Sequence, residues 1–408
     1  MASAIYAEPP IVSEDNMKIT DVKATVLKYQ YEHAIADAQN YFSTRSAVIV
    51  QVFTDEGIVG LGESACFGGP PETTKFVIET ELRPIVLGQD PTNISRVWQR
   101  MFDRTRQHGR GGLIFAAMSG IDIALWDILG KKAGLPVYKL LGGYTDRVMP
   151  YASSGFYSAG KGTAEIAAEC RSYFELGFRY AKIKIGRNPE VLMTPLHNMP
   201  SAQECRYSLE EDLERVQACC DAAKEYGARI MVDANNNWNT FTALQMGKKL
   251  QEMGVYWLEE PLHLDNVAGS SELAAALDLP VAGYESEIGF YRFRELIERR
   301  AVDIVQPDCV WSGGITECRR IAQLALAHNL PCNPHVFSSG VSLAANLHFL
   351  ASLPNAGLLE MDRNPYPLRD ELLTQKIDIE ADGLVSVPQG PGLGIELNQD
   401  VFEAYRAE

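Results

Sequence analysis

At 408 residues the chain is too long for one ordinary hydrophobic core, so two domains are expected. With 46% hydrophobic and 22% charged residues the composition is globular. A formal net charge of −16 argues against nucleic acid or an anionic membrane surface as a partner. It leaves an anionic small substrate open, because a metal ion and local lysines set the field inside a site. Eight scattered cysteines (Cys66, Cys170, Cys205, Cys219, Cys220, Cys309, Cys318 and Cys332) form no CxxC pair and read as reduced thiols of a cytoplasmic protein. Met1 to Asn16 lacks a basic start followed by an apolar run, and no stretch approaches about 20 uninterrupted apolar residues, so neither a signal peptide nor a membrane span is expected.

Residues 1–16 read as a poorly ordered leader. Lys18 to Tyr29 reads as a first strand, Tyr31 to Arg45 as a polar loop, and Ser46 to Phe53 as a second strand. The turn Thr54-Asp55-Glu56-Gly57 returns the chain as Ile58 to Glu63. Ser64 to Glu72 is a glycine- and proline-containing loop. From Thr73 to Lys139 the spacing turns helical. Its clearest helix is Gly111 to Lys132, with a face of small residues at Ala116, Ala117, Gly120 and Ala124, ended by Gly134-Leu135-Pro136. This predicts an α+β unit over residues 17–143.

From about Val148 short apolar runs alternate with helical patterns. The runs are Arg147–Ser153, Tyr180–Ile185, Arg229–Asp233, Tyr256–Glu259, Pro280–Glu285, Asp303–Asp308, Pro331–His335 and Leu358–Asp362. Eight such strands predict an α/β barrel over residues 144–367. A proline-rich stretch after the last strand leaves the eighth helix short or missing, giving a modified TIM barrel of (β/α)7β form. Residues 368–408 are expected to return to the first unit. Arg187 to Tyr207 is an unusually long connection that suits a lid, an oligomer contact or a plain surface insertion. Ser208-Leu209-Glu210-Glu211 is a capping box that starts the next helix.

In such a barrel the active site lies at the C-terminal ends of the strands. Those ends carry Lys182 and Lys184, Asp233 with Asn235, Glu259 with Glu260, Glu285, Asp308, His335 and Glu360. Alternation places both lysines of Ala181-Lys182-Ile183-Lys184-Ile185 on one face, where mutual repulsion and desolvation would lower a lysine pKa toward that of a general base. On this stretch alone, two solvated lysines on an exposed face is the other reading. Asp233, Glu259 and Glu285 come from adjacent strands and cannot all stay charged without a cation; all-oxygen ligation suits Mg²⁺. Asp308 and His335 sit on neighbouring strands, so the carboxylate can orient the imidazole. These parts suit removal of a proton next to a carboxylate, with the metal stabilising the dianionic enediolate. Either Lys184 or His335 takes the proton, the other serves the opposite face, and Glu360, if protonated, donates to the second enediolate oxygen.

The order Lys-x-Lys, Asp-x-Asn, Trp-Leu-Glu-Glu-Pro, Glu285, Gln-Pro-Asp and His335 resembles the mandelate racemase subgroup of the enolase superfamily. The resemblance runs from about Met17 and includes Gly120-Ile121-Asp122-Ile123-Ala124-Leu125-Trp126-Asp127 and Gly390-Pro391-Gly392-Leu393-Gly394-Ile395-Glu396. It implies a capping α+β domain over the barrel, Mg²⁺ on Asp233, Glu259 and Glu285, and Lys184 and the His335–Asp308 pair as the two bases. Lys182 is then the neighbour of the first base, Glu360 the electrophilic partner, Asn235 close to substrate, and Glu260 a structural group. It also implies a homo-oligomer, a dimer or octamer. The insertion at Arg187 to Tyr207 departs from the plainest members. Polar residues on the capping loops, among them His33, Arg45 and Cys66, favour a hydroxylated substrate over an aryl one, and Trp311 and Phe337 suit either stacking on a sugar face or plain barrel packing. The expected reaction is dehydration of an acid sugar to a 2-keto-3-deoxy acid. The alternatives are cycloisomerisation of an acid-sugar lactone, racemisation of a 2-hydroxy acid or amino-acid derivative, and, more distantly, a non-catalytic metal-binding homologue or a two-metal hydrolase.

Overall fold

The computed structural model describes residues 16–188, 191 and 207–407. The expected leader and most of the Arg187–Tyr207 insertion therefore lie outside the described residues. The N-terminal unit is a three-stranded antiparallel meander, Ile19–Ala36, Tyr41–Thr54 and Val59–Ser64, covered by helices that include Ile94–Thr105 and Leu113–Ala133.

The stretch Tyr31 to Arg45 is not a loop. Strand runs to Ala36 and resumes at Tyr41, leaving a turn at Asp37–Asn40. Tyr31, Ile35 and Ala36 are buried while Glu32 and His33 face solvent, so the polar residues mark the outer face of a hairpin. A register shift between Gln30 and Ile35 bulges that hairpin, which carries its tip across to the barrel, where Ala36 bridges Tyr157.

Helix Leu113–Ala133 is long and apolar enough to cross a membrane by length and composition, but here it is the buried core of the cap. Its small-residue face lets strand Val59–Ser64 approach closely. A Cβ on Gly62 would lie 2.1 Å from the Gly120 carbonyl oxygen, which is backbone and cannot swing away. Gly62→Ala is expected to destabilise the protein by about 1–3 kcal/mol through overpacking, read as a lowered denaturation midpoint. An unchanged midpoint would show that the helix yields.

The C-terminal unit alternates strands and helices. The sheet runs Ile304–Val305, Val281–Gly283, Leu258–Glu259, Arg229–Asp233, Tyr180–Lys184, Pro150–Ser153 and Leu359–Asp362, all parallel. The eighth position is held by one residue. Cys332 bridges Val305 on one side and Ala356 on the other, closing the ring. Pro331 and Pro334 lack amide hydrogens and restrict pairing there to this short stretch. Among the described residues seven helices intervene, from Thr163–Glu175 to Gly340–Ala351. The last barrel strand is followed by the single turn Pro367–Asp370 in place of a full eighth helix, with a short helix Gln399–Ala404 further on where the chain returns to the cap. The form is (β/α)7β. Ser208 Oγ accepts from Glu211 N at 3.2 Å and Ser208 N donates to Glu211 at 2.7 Å, so the capping box starts helix Leu209–Glu225.

The chain end returns to the cap, where Leu27 bridges Arg406 and Ala407 N donates to Val26 O at 2.9 Å. A second tie is Glu63, buried at the end of the third cap strand. Its carboxylate accepts from the Ser338 hydroxyl, from Ser339 Oγ at 2.5 Å and from Ser342 N at 2.9 Å, on the first turn of helix Gly340–Ala351. Positive partial charge at a helix N-terminus favours such an anion. The seven described cysteines are all free thiols.

Candidate active site

Strand alternation turns Lys182 and Lys184 inward, and register sets Lys184 directly beside Asp233 on the next strand. Asp233 is likewise beside Glu259. Oxygens of Asp233, Glu259 and Glu285 lie within 4.8 Å of one another. Lys184 is ion-paired with Asp233. Lys182 is ion-paired with Glu259, with Glu360 at 2.9 Å and with Asp233 at 3.8 Å. At the other end of the cluster His335 Nε2 stands 3.3 Å from Glu285, and His335 Nδ1 is 2.8 Å from Asp308. Asp308 is itself fixed by Asn346 Nδ2 and Val310 N, each at 3.0 Å. Asn235 has φ +40°, a left-handed conformation that asparagine tolerates, and its N–H folds back onto Asp233 at 2.8 Å. Glu260 accepts from Glu285 N at 2.9 Å and from Asn236 Nδ2 at 2.6 Å, contacts that suit the expected structural part.

The electrostatics correct two expectations. Burial opposes the charge on Lys184, and Lys182 opposes it further, but Asp233 and the other carboxylates hold its pKa above the usual lysine range. Lys182 therefore does not bring Lys184 down toward neutrality in the metal-free chain. Burial likewise favours neutral Glu360, yet in the metal-free chain Lys182 and His335 hold it down to about 2, opposite to the protonated form expected of a donor. Burial pushes Glu259 up to about 7 against the pull of Lys182, and burial also raises Glu285. Burial opposes the charge on His335, which Glu285, Glu360 and Asp308 nevertheless hold up to about 10.

Above this floor opens a cavity of about 630 Å³ between barrel and cap, lined by Lys184, Glu285, His335 and Glu360 below and by segments Asp37–Ser46 and Cys66–Pro70 above. Of the expected substrate contacts, Arg45, Cys66, Trp311 and Phe337 line it. His33 and Asn235 do not: His33 sits on the solvent face of its strand, and Asn235 turns back onto Asp233 through its N–H and its Nδ2. Cys66 carries a thiol that burial pushes up to about 12, so it offers surface and not a nucleophile. Phe337 is held between Phe156, stacked at 5.5 Å, and the Arg45 guanidinium at 3.7 Å. Trp311 is anchored by its Nε1 on Ser286 O at 3.0 Å.

Residues 165–401 match the family model described as enolase C-terminal domain-like, and residues 21–142 match that of the mandelate racemase / muconate lactonizing enzyme N-terminal domain. The chain belongs to the mandelate racemase/muconate lactonizing enzyme family of the enolase superfamily. It is 38% identical over 88% of its length to an arabinonate dehydratase from Saccharolobus solfataricus, 91% of which is covered. It is 33% identical over 96% to a D-galactarolactone cycloisomerase from Agrobacterium fabrum, 99% of which is covered. Among solved structures, L-talarate/galactarate dehydratase from Salmonella typhimurium liganded with Mg and L-lyxarohydroxamate superposes with a TM-score of 0.84 at 27% identity, covering 100% of this chain and 97% of that one.

The three carboxylates of this family member fit a divalent cation. Glu285 Oε2 is buried, makes no hydrogen bond among the described residues and has His335 Nε2 at 3.3 Å as its ion-pair contact, and the donor set is all oxygen. Sequence reading missed the groups that hold these ligands in place. Gln306 Nε2 donates to Glu259 at 2.9 Å and Trp257 Nε1 at 3.1 Å. Both lie two residues before a strand-end acid (Asp308 and Glu259), so period-two alternation marks them as sharing its face. Asn346 sits on a helix and has no such signal. Asp37 and Phe156, which also line the cavity, were missed as well.

Proposed function

We propose that this enzyme abstracts the proton α to the carboxylate of an acid sugar and eliminates the β-hydroxyl as water, giving a 2-keto-3-deoxy acid. The observation that supports this reading is the placement of Lys184 at the Asp233 end and of the His335–Asp308 pair at the Glu285 end of one carboxylate cluster, beneath a single cavity. Mg²⁺ held by Asp233, Glu259 and Glu285 would supply Lewis-acid stabilisation of the charge developing on the substrate carboxylate. Lys182, anchored on Glu259 and Glu360, adds fixed positive charge beside it. The configuration of the α-carbon selects the base: a hydrogen facing strand Tyr180–Lys184 goes to Lys184, one facing the segment that follows Cys332 goes to His335. The opposing residue protonates the departing β-hydroxyl. The resulting enol takes a proton at the β-carbon and becomes the ketone. Asp308 holds the imidazole through Nδ1, which keeps Nε2 directed at the cavity.

A second reading is supported by the 33% identity over nearly full length to a D-galactarolactone cycloisomerase. There the same abstraction would expel a lactone ring oxygen, opening the ring without loss of water. A screen of acid sugars and their lactones with Mg²⁺, read by mass spectrometry, separates the two. A product lighter by one water is expected from an open-chain acid sugar. An isomer of equal mass formed only from lactones assigns cycloisomerisation. Turnover confined to amino-acid derivatives would overturn both.

A further inference from the structure

Resting on that reading, we infer that the substrate carries a single carboxylate and presents an uncharged end, a polyol chain or a lactone ring, to the cap. The argument is the charge inventory of the cavity. Among the described residues its lining contains three cationic side chains, Lys184, His335 and Arg45. The first two are committed to the carboxylate cluster on the floor. Arg45 is the one cation of the cap side, and it is already neutralised. Its Nη1 lies 2.5 Å from Asp362 and 3.1 Å from the Tyr31 hydroxyl. Its faces are covered by Phe337 at 3.7 Å and Tyr366 at 3.9 Å. Its Nη2, though without a hydrogen bond, is buried to below 1 Å² and does not open on the cavity. Arg369, the next cation behind it, is 2.6 Å from Asp370 and 3.4 Å from Asp362.

The cap side instead presents an acid. Asp37 is 5% exposed, lines the cavity, and holds the hairpin tip by accepting from Gln39 N at 2.8 Å and Asn40 N at 2.6 Å. Asn40 beside it, and Thr44 and Ser46 on the strand that follows, add neutral donors and acceptors to the cap side of the lining. A sugar hydroxyl can donate to a carboxylate and accept from an amide, so this wall suits a polyol. A second substrate carboxylate would be desolvated beside Asp37 with no cation of the described lining left to pair with, since Arg187 behind the hairpin tip is fully buried with its Nη1 on Asp37 O at 3.0 Å, and that is penalised twice.

The test uses the Mg²⁺-loaded full chain and pairs of sugar acids of matched configuration that differ only at the terminal carbon, hydroxymethyl in one and carboxylate in the other. The monoacid is expected to be preferred by about 10²-fold in kcat/KM. Asp37→Asn keeps an acceptor for the turn amides and is expected to narrow that preference by about tenfold. A diacid handled as well as its monoacid overturns the inference. Failure of the reaction assignment looks different: neither acid is converted, yet calorimetric binding still ranks the pair. Tighter monoacid binding then supports the single-charge inference, and equal or tighter diacid binding, or no binding of either, overturns it.

Discussion

Lys184→Ala is expected to lower kcat by about 10³-fold or more, the scale of a lost general base, on substrates whose α-hydrogen faces strand Tyr180–Lys184. The side chain is buried at the cavity floor and ion-paired with Asp233, so its removal takes away both the base and the nearest positive charge. Lys184→Arg separates these roles, because it keeps a cation but replaces an amine whose charge responds to its surroundings with a guanidinium that stays protonated throughout. Both variants should lose exchange of the α-hydrogen for deuterium, followed by NMR, while Mg²⁺ affinity stays near normal in Lys184→Arg and is kept or tightened in Lys184→Ala, which removes a cation paired with Asp233. Exchange and turnover at the parent rate in Lys184→Ala would remove Lys184 from the chemistry.

Glu285→Gln is expected to weaken Mg²⁺ binding by more than the roughly 10–100-fold typical of groups one step removed from a metal. Glu285 brings an oxygen with no hydrogen-bond partner among the described residues, so its charge is what the cluster loses. Titration calorimetry checks this directly. Excess Mg²⁺ should recover part of the turnover of Glu285→Gln and none of that of Lys184→Ala. An unaltered Mg²⁺ affinity would take Glu285 out of the metal site.

The barrel and its rim were legible because two signals coincide in the sequence. Alternation marks a strand, and an ionisable residue at or just past its end marks the open rim, as at Lys184, Asp233 and Glu259. What sequence could not show was pairing across strands and domains. The like-charged neighbour Lys182 is visible two residues from Lys184, whereas Asp233 becomes its partner only through parallel register, and that partner reverses the sign of the pKa shift. Arg45 reads as a polar substrate contact because its partner Asp362 is 317 residues away in sequence. His33 looked like a loop residue because outward polar side chains on one bulged strand resemble a polar loop when burial is unknown.

Glu63 also bears on modularity. It spends a buried charge of the cap on the first turn of a barrel helix, the helix that begins a few residues after His335 and carries Asn346 behind Asp308. Separating the two units would strand an uncompensated carboxylate on one side and open amides on the other. Cap and barrel should therefore melt as one cooperative transition in scanning calorimetry. A chimera built with a foreign cap would need to bring a matching acid for Ser338, Ser339 and Ser342, whatever substrate its loops were chosen to admit.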